Sequence, residues 1–124
     1  MSLLLRASAL YSGAVGSLAL LIPRTAAAGL KPDPSPFDVF TTRTIGATLV
    51  GFAVANWSST PRSGILLANL VMNAVLGGVD AAAIADGTIG REAWRGVAVH
   101  GVLVTAFGWA LLGHRRPRRP RTAS

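Results

Sequence analysis

Four apolar runs dominate this sequence, and each has the ~20 residues that an α-helix needs to cross the hydrocarbon core of a bilayer. Surface helices of a soluble protein carry a clear polar face at this length, which these runs mostly lack. Only 14% of the residues are charged and 51% are hydrophobic, whereas a soluble domain has about 25% charged residues. The sequence therefore predicts an all-α fold, an integral membrane four-helix up-down bundle with helices at about residues 3–23, 37–57, 65–85 and 94–113.

The predicted bundle is a single domain of residues 1–114, followed by a basic tail of residues 115–124. The connection between the first two helices, residues 24–38, is rich in Pro and predicts an irregular loop outside the membrane. Turn-forming residues also separate the later runs, with SSTPRSG at 58–64 and DGTIG at 86–90. All three connections are short enough for neighbouring helices to run antiparallel.

The distribution of basic residues predicts the orientation of the bundle. Four crossings place both termini on one side, which then carries seven basic residues and no acidic one, while the other side carries four of each. Cytoplasmic loops carry the excess of Lys and Arg, so we expect a multi-pass protein of the cell (inner) membrane with both termini cytoplasmic. Five residues of the tail are expected to contact anionic lipid headgroups, namely Arg115, Arg116, Arg118, Arg119 and Arg121.

The first run has an alternative interpretation as a cleaved signal peptide. Arg6, the apolar residues after it and the small residues TAAAG at 25–29 resemble a secretory signal with its cleavage site. Cleavage would leave three helices and put the new N-terminus outside. An intact first helix gives the consistent charge bias described above, and the sequence leaves both possibilities open.

Three ionisable residues lie at a similar depth inside the predicted helices. Arg43, Asp80 and His100 are each five or six residues from the outer end of their run, which is about 7–9 Å of helical rise. An unpaired charge near the centre of a bilayer costs at least about 2.5–3.5 kcal/mol, and Arg and Asp can pair through two parallel hydrogen bonds. We therefore predict an Arg43–Asp80–His100 cluster, which is either an ion pair that fixes helix register or a proton-handling or ligand-binding site.

Other polar and small residues support a packed bundle. Asn69 and Asn73 lie within about 40° of Asp80 around the third helix and are expected to make hydrogen bonds across helices. Asn56 points away from the Arg43 face and is expected at a helix interface. Small residues also recur every four positions, a spacing that suits close packing inside the bundle or at a homodimer seam: Ser8, Ser12 and Gly16 on the first helix, and Ala47, Gly51 and Ala55 on the second.

The composition excludes several kinds of chemistry. The chain has no Cys, which excludes disulfides and thiolate sites, and it has no Gly-rich phosphate loop, HExxH motif or Ser nucleophile elbow. Its two His residues lie at different depths, so we expect no metal site, no cofactor and no catalytic residue. The tail lacks aromatic residues and is too short for a nucleic-acid module, so no nucleic acid is expected as a partner.

The runs RTIGATLVGFAVANW, GGVDAAAIADG and AVHGVLVTAFGWALL resemble the DoxX-like small four-helix membrane proteins. The shared features are Arg43 and Gly46 in an Arg-x-x-Gly pattern, Asp80 late in the third helix and His100 in the fourth, and the resemblance covers about residues 7–113. It implies a four-helix up-down bundle. It implies no particular reaction, because members are linked variously to oxidase accessory roles, to redox membrane complexes and to no known role.

These observations predict a small polytopic membrane protein that is a non-catalytic accessory or assembly partner. Its expected partners are the lipid bilayer, a second copy or another membrane protein, and a small lipophilic ligand. The first alternative is a transporter or binder of a small or lipophilic ligand that uses the Arg43–Asp80–His100 cluster. The second is an enzyme on a lipophilic substrate such as a quinone or an isoprenoid, with His100 as acid or base.

Overall fold

A computed structural model describes residues 2–114 of the chain. Within this range the regular structure is helical and no β-strand is present. The helices are α1 (Ser2–Leu21), α2 (Pro23–Ala28), α3 (Pro36–Ser58), α4 (Ser63–Ala85) and α5 (Trp94–His114), with a 3₁₀ turn at Arg91–Ala93 before α5. The basic tail that is expected to contact lipid headgroups, residues 115–124, lies outside the described residues.

The short helix α2 lies in the connection for which the sequence predicts an irregular loop. Pro23 occupies its first turn, where the missing N–H of Pro leaves no intrahelical bond unmade, and the three Ala residues after Thr25 have the highest helix propensity. Pro23 and Ala27 are buried, and α2 packs against α3 and α1. The prediction of an irregular loop is therefore wrong for residues 24–28, where propensity and the burial of one face form a helix.

α3 begins at a capping box. The Ser35 hydroxyl accepts a hydrogen bond from the Asp38 backbone N–H (3.2 Å), and the Asp38 carboxylate accepts one from the Ser35 backbone N–H (2.8 Å). These bonds satisfy backbone donors that the first helical turn leaves unpaired. The helix then continues for 23 residues to Ser58.

α4 ends in a turn that meets the other loop at the same end of the bundle. Gly87 has a φ of 79°, the left-handed conformation that commonly follows a helix and that Gly adopts without a steric cost. Asp86 accepts a hydrogen bond from the Thr88 backbone N–H at 2.9 Å, and hydrogen bonding from Thr88 lowers the pKa of the Asp86 carboxyl. The Gly90 N–H donates to the Leu30 carbonyl at 3.0 Å, which joins the loop after α4 to the loop after α2.

α1 and α3 form one tightly packed antiparallel pair, in which Gly13 lies near Ala53 and Gly16 lies near Gly46. A Cβ atom added at Gly46 would lie only 2.6 Å from the Leu20 backbone nitrogen and 2.7 Å from the Gly16 carbonyl oxygen. The two backbones are therefore in direct contact, as small residues permit between membrane helices. Of the two predicted small-residue stripes, the one on α1 lies inside the bundle; the three residues of the α3 stripe are exposed, namely Ala47, Gly51 and Ala55.

α4 and α5 form a second antiparallel pair, in which Leu70 lies near Gly108 and Gly77 faces His100. A hydrophobic cluster joins this pair to α1 at the tail end of the bundle, which we define as the end with the start of α1, the turn at 59–62 and the end of α5. The buried members of this cluster are Leu5, Leu66, Phe107 and Leu111.

Three of the long helices are long and apolar enough to cross a membrane, over the ranges Leu3–Leu21, Ser63–Ala85 and Arg91–His114. Large apolar side chains project outward from them, such as Trp109, which is 80% exposed. α3 has the same length as α4, but its TTRT sequence at 41–44 lowers its hydropathy and it is not one of the three. The fold is thus all-helical and has the apolar exterior of a membrane protein.

Candidate functional site

The centre of the bundle holds a layer of amide and hydroxyl groups from three helices. Asn56 of α3 and Asn69 of α4 pair reciprocally, since the Nδ2 atom of each donates to the Oδ1 atom of the other at 2.9 and 2.8 Å. Ser8 of α1 donates to Asn69 Oδ1 at 3.0 Å and accepts from Asn56 Nδ2 at 3.2 Å. Asn56 and Asn69 are fully buried and Ser8 is 1% exposed, so this layer is closed to water and lipid.

The polar layer continues along α4 toward the opposite end of the bundle. Asn69 also donates to the Ile65 carbonyl at 2.9 Å, and the Asn73 Nδ2 atom donates to the Asn69 carbonyl at 2.8 Å. On α1, Ser12 donates to the Ser8 carbonyl. Among the described residues, every buried side-chain nitrogen or oxygen has a hydrogen-bond partner, as the interior of a membrane protein requires.

Asn73 determines the tautomer of His100. The amide nitrogen of Asn73 donates to Asn69, so the Asn73 Oδ1 atom is the group that faces His100 Nδ1, at 2.9 Å. An amide oxygen only accepts hydrogen bonds, and Nδ1 must therefore carry a proton. In the neutral imidazole the other nitrogen, Nε2, is then an acceptor with a free lone pair.

The Nε2 atom of His100 faces the carboxylate of Asp80. Nε2 and Asp80 Oδ2 are 3.9 Å apart, and the His100 and Asp80 side chains are 13% and 36% exposed. This separation is within ion-pair range when His100 is protonated and is longer than a hydrogen bond. Gly77 also lies against His100, since a Cβ atom added at Gly77 would be 3.0 Å from His100 Cβ. Asp80 and His100 are thus close enough to form an ion pair, but no direct hydrogen bond joins them.

An apolar crevice of about 340 Å³ lies between α1 and α5, and its wall includes Val99, the residue before His100. Its single polar lining residue is Tyr11, which lies within electrostatic range of Asp80. Tyr11 is therefore the one side chain of the crevice wall that can donate or accept a hydrogen bond. The remaining lining residues are aliphatic, namely Ala7, Ala98, Val99, Val102 and Leu103.

Arg43, the third member of the predicted cluster, does not join the other two. Its side chain is exposed on α3, and the ion pairs of the described residues do not include it. The buried face of α3 carries Gly46, Ala53 and Asn56, and the centre of that face lies about 100° around the helix from Arg43. α3 also packs on α1 and α2 rather than along α4, so the expected Arg43–Asp80 pair is not formed and His100 is the basic side chain within ion-pair range of Asp80.

Three residues of the central layer fall outside the predicted cluster. Ser8 and Ser12 belong to the small-residue stripe of α1, and their hydroxyl groups as well as their size explain their burial. Asn56 is the stronger sequence signal for this layer, because an amide within an apolar membrane helix needs a hydrogen-bond partner. Asn69 is the nearest amide in the next helix, since only the short turn between α3 and α4 separates the two helices. A search for amide partners across that turn identifies the pair.

The arrangement suits the binding of protons or polar groups rather than metal ions. Within residues 2–114, no group of three or more His, Asp or Glu side chains could hold a metal ion. The site instead combines a His of defined tautomer, a partly exposed carboxylate and a phenol beside an apolar crevice. In comparisons with protein-family models, with curated proteins and with solved structures, nothing matches this chain.

Proposed function

We propose that this chain is an integral membrane protein with four crossings and with both termini in the cytoplasm. Two antiparallel helix pairs, three apolar helices and outward-facing large hydrophobic residues support this topology. The fourth crossing in this proposal is α3, which has 23 residues and packs antiparallel along α1 between Gly46 and Asn56. The excess of basic residues at the tail end supports the cytoplasmic location of that end.

We further propose that the protein binds a small lipophilic ligand at the Asp80–His100 pair. The observation that carries this proposal is the 3.9 Å gap between His100 Nε2 and Asp80 Oδ2. In contrast, every buried polar side-chain atom of the described residues has a hydrogen-bond partner. An intramembrane carboxylate is costly, and a purely structural pair would be expected to close its hydrogen bond. A ligand headgroup that bridges the two atoms would complete the site.

The crevice between α1 and α5 provides the apolar part of the site. Ligand pockets are mostly apolar with a few oriented polar groups, and here Tyr11 is the polar group among the aliphatic residues of the crevice wall. The crevice opens on the outer surface of the bundle, so a ligand dissolved in the bilayer can enter sideways from the lipid. Lateral entry favours a lipophilic molecule over a water-soluble one.

The test is a comparison of bound lipophilic molecules in three purified proteins. We expect mass spectrometry to detect a co-purified amphiphile on the parent protein and on Asp33→Asn, but not on folded Asp80→Asn. Asp33 is the matched control because its side chain is 97% exposed and the chemical change is the same. The same amphiphile content in Asp80→Asn and the parent would refute ligand binding at this pair.

A second candidate function, an assembly partner in the membrane, is supported by the outer face of α3. Ala47, Gly51 and Ala55 are exposed on this face, and there is open space around Gly51, so another helix could approach its backbone closely. Gly51→Leu should reduce the oligomeric mass measured in mild detergent, while Gly78→Leu, at another open position, should not. An identical mass for the parent and both variants would rule out assembly through this face.

A further inference from the structure

We propose that the ligand headgroup is a protonated primary amine that bridges Asp80 and His100 and competes with the proton of His100. This inference rests on the proposed ligand binding and names the ligand class. It starts from the orientation of Asn73, whose oxygen accepts from His100 Nδ1. Because Nδ1 carries a proton in both charge states, Nε2 is the atom at which a proton is gained or lost.

When His100 is neutral, its Nε2 atom and the Asp80 carboxylate are two hydrogen-bond acceptors that face each other. Nε2 and Asp80 Oδ2 are 3.9 Å apart, and a nitrogen atom placed off the line between them can lie about 2.9 Å from both. An ammonium group has three N–H donors, so it can donate to both atoms at once. A hydroxyl group has one donor and would leave one of the two acceptors without a partner.

Charge also favours an amine over a neutral or an anionic headgroup. His100 is the one basic side chain paired with Asp80 in the described interior, because Arg43 is exposed on α3. When His100 is neutral, Asp80 lacks a counter-ion in a region of low dielectric constant, where charge–charge interactions are strong. A ligand ammonium restores the counter-ion, whereas a carboxylate ligand would be repelled.

Few other titratable groups face His100 from the elements that pack on α5. α4 contributes Asp80, and on α1 Tyr11 lines the crevice against α5. The 3₁₀ turn carries Arg91 and Glu92, and both are exposed at the end of the bundle. On α5 itself, Arg95 is also exposed. His100 is therefore the group whose proton the ligand would displace.

The exchange balances in charge and in atoms. When free His100 is protonated, its imidazolium is the counter-ion of the Asp80 carboxylate before the ligand binds. The ammonium takes its place beside Asp80 Oδ2, the imidazolium Nε2–H bond breaks, and the proton leaves to water while Nε2 accepts a hydrogen bond from the ammonium. One bound cation thus replaces one bound proton, so affinity should rise about tenfold per pH unit while free His100 is protonated, and then level off.

The experiment titrates the purified protein in lipid nanodiscs with decylamine by calorimetry between pH 5.5 and 8.5, in two buffers of different protonation enthalpy. A primary amine with a pKa near that of Lys, about 10.4, stays protonated over this range. We expect decylamine to bind with the release of up to one proton at the acidic end of this range, and with an affinity that rises with pH until the release falls to zero. His100→Gln should bind without proton release and without this pH dependence, and Asp80→Asn should lose binding.

Two further probes separate the possible failures. Decyltrimethylammonium has the charge but no N–H group, and decanol has a donor but no charge; both should bind at least about tenfold more weakly than decylamine. Decanol binding as tight as decylamine would overturn the amine class while leaving ligand binding intact, and equal binding of decyltrimethylammonium would overturn the bridging hydrogen bonds. If none of the three probes bound to the folded parent protein, both this inference and the proposed function would be refuted.

Discussion

Asn56 of α3 and Asn69 of α4 form a closed pair of amide hydrogen bonds at 2.9 and 2.8 Å. These two helices pack little against each other elsewhere, so the pair is the main direct link between them. Ser8 of α1 bonds to both amides. Polar hydrogen bonds therefore hold the α1–α3 pair against the α4–α5 pair at the level where the three side chains meet.

Asn56→Ala should destabilise the bundle by about 1–2 kcal/mol, because it leaves buried groups of Asn69 without partners and membrane-helix hydrogen bonds have about this strength. Asn69→Ala should cost more, since Asn69 makes a further hydrogen bond to the Ile65 carbonyl. Reversible unfolding in mixed micelles measures both values, and the double variant should cost less than their sum. Ser58→Ala is the control, since its exposed hydroxyl bonds only to carbonyls of its own helix; an Asn56→Ala loss no larger than that of Ser58→Ala would contradict the linking role.

The crossing of α1 and α3 gives a second prediction. Gly46→Ala should destabilise the protein by about 1–3 kcal/mol, the usual cost of overpacking, because its Cβ atom would meet backbone atoms of Gly16 and Leu20 that cannot rotate away. Gly51→Ala on the same helix meets nothing within 4 Å and should be neutral or stabilising by up to about 1 kcal/mol, because Ala has the higher helix propensity. Thermal unfolding in detergent compares the two, and equal stabilities would show that the crossing is looser than described.

Helical periodicity predicts much of α4 and α5. Asn69 and Asn73 lie on one face of α4, and His100 lies on the face of α5 that buries Phe107 and Leu111. Asn69, Asn73 and His100 have larger polar groups than the other residues at these levels, so their positions indicate which face is buried.

The same reasoning fails for α3, because its inner and outer faces are equally apolar. The charge of Arg43 then suggests the wrong inner face, since a long cationic side chain at a helix end can extend toward the interface and tolerate an outward position. Asn56 is the better indicator, because its short amide side chain is fully buried and bonds to Ser8 and Asn69. The partners of Asp80 could not be chosen from depth alone, since depth does not fix the rotation of a helix.

Gly77 gives a third prediction, which concerns the ligand site. A Cβ atom at Gly77 would lie 3.0 Å from His100 Cβ, so Gly77→Ala should push His100 away by a few tenths of an ångström and alter the gap to Asp80. We expect decylamine affinity to fall by about tenfold, which corresponds to about 1.4 kcal/mol. Gly78→Ala, where there is nothing within 4 Å, should leave binding unchanged. Equal losses in both variants would indicate a general effect of Ala on α4 instead of a displacement of His100.

The absence of Cys from the sequence makes the topology directly testable with single introduced cysteines. Lys31, Thr60 and Thr88 lie in exposed segments before α3, after α3 and after α4. With four crossings and a cytoplasmic tail, an impermeant maleimide should label Lys31→Cys and Thr88→Cys in intact cells, and Thr60→Cys only after the membrane is permeabilised. Labelling of Lys31→Cys and Thr60→Cys from the same side would mean that α3 does not cross.

The same labelled proteins test whether the first helix is retained. A cleaved signal peptide would give the same labelling pattern, because the remaining three helices would keep their orientation, but it would remove the residues up to about position 29 from the mature protein. Intact mass distinguishes the two cases. We expect the full-length mass, because α1 supplies Ser8 to the Asn56–Asn69 pair and Gly16 to the crossing with α3, and a chain without α1 would leave buried amides and the inner face of α3 without partners.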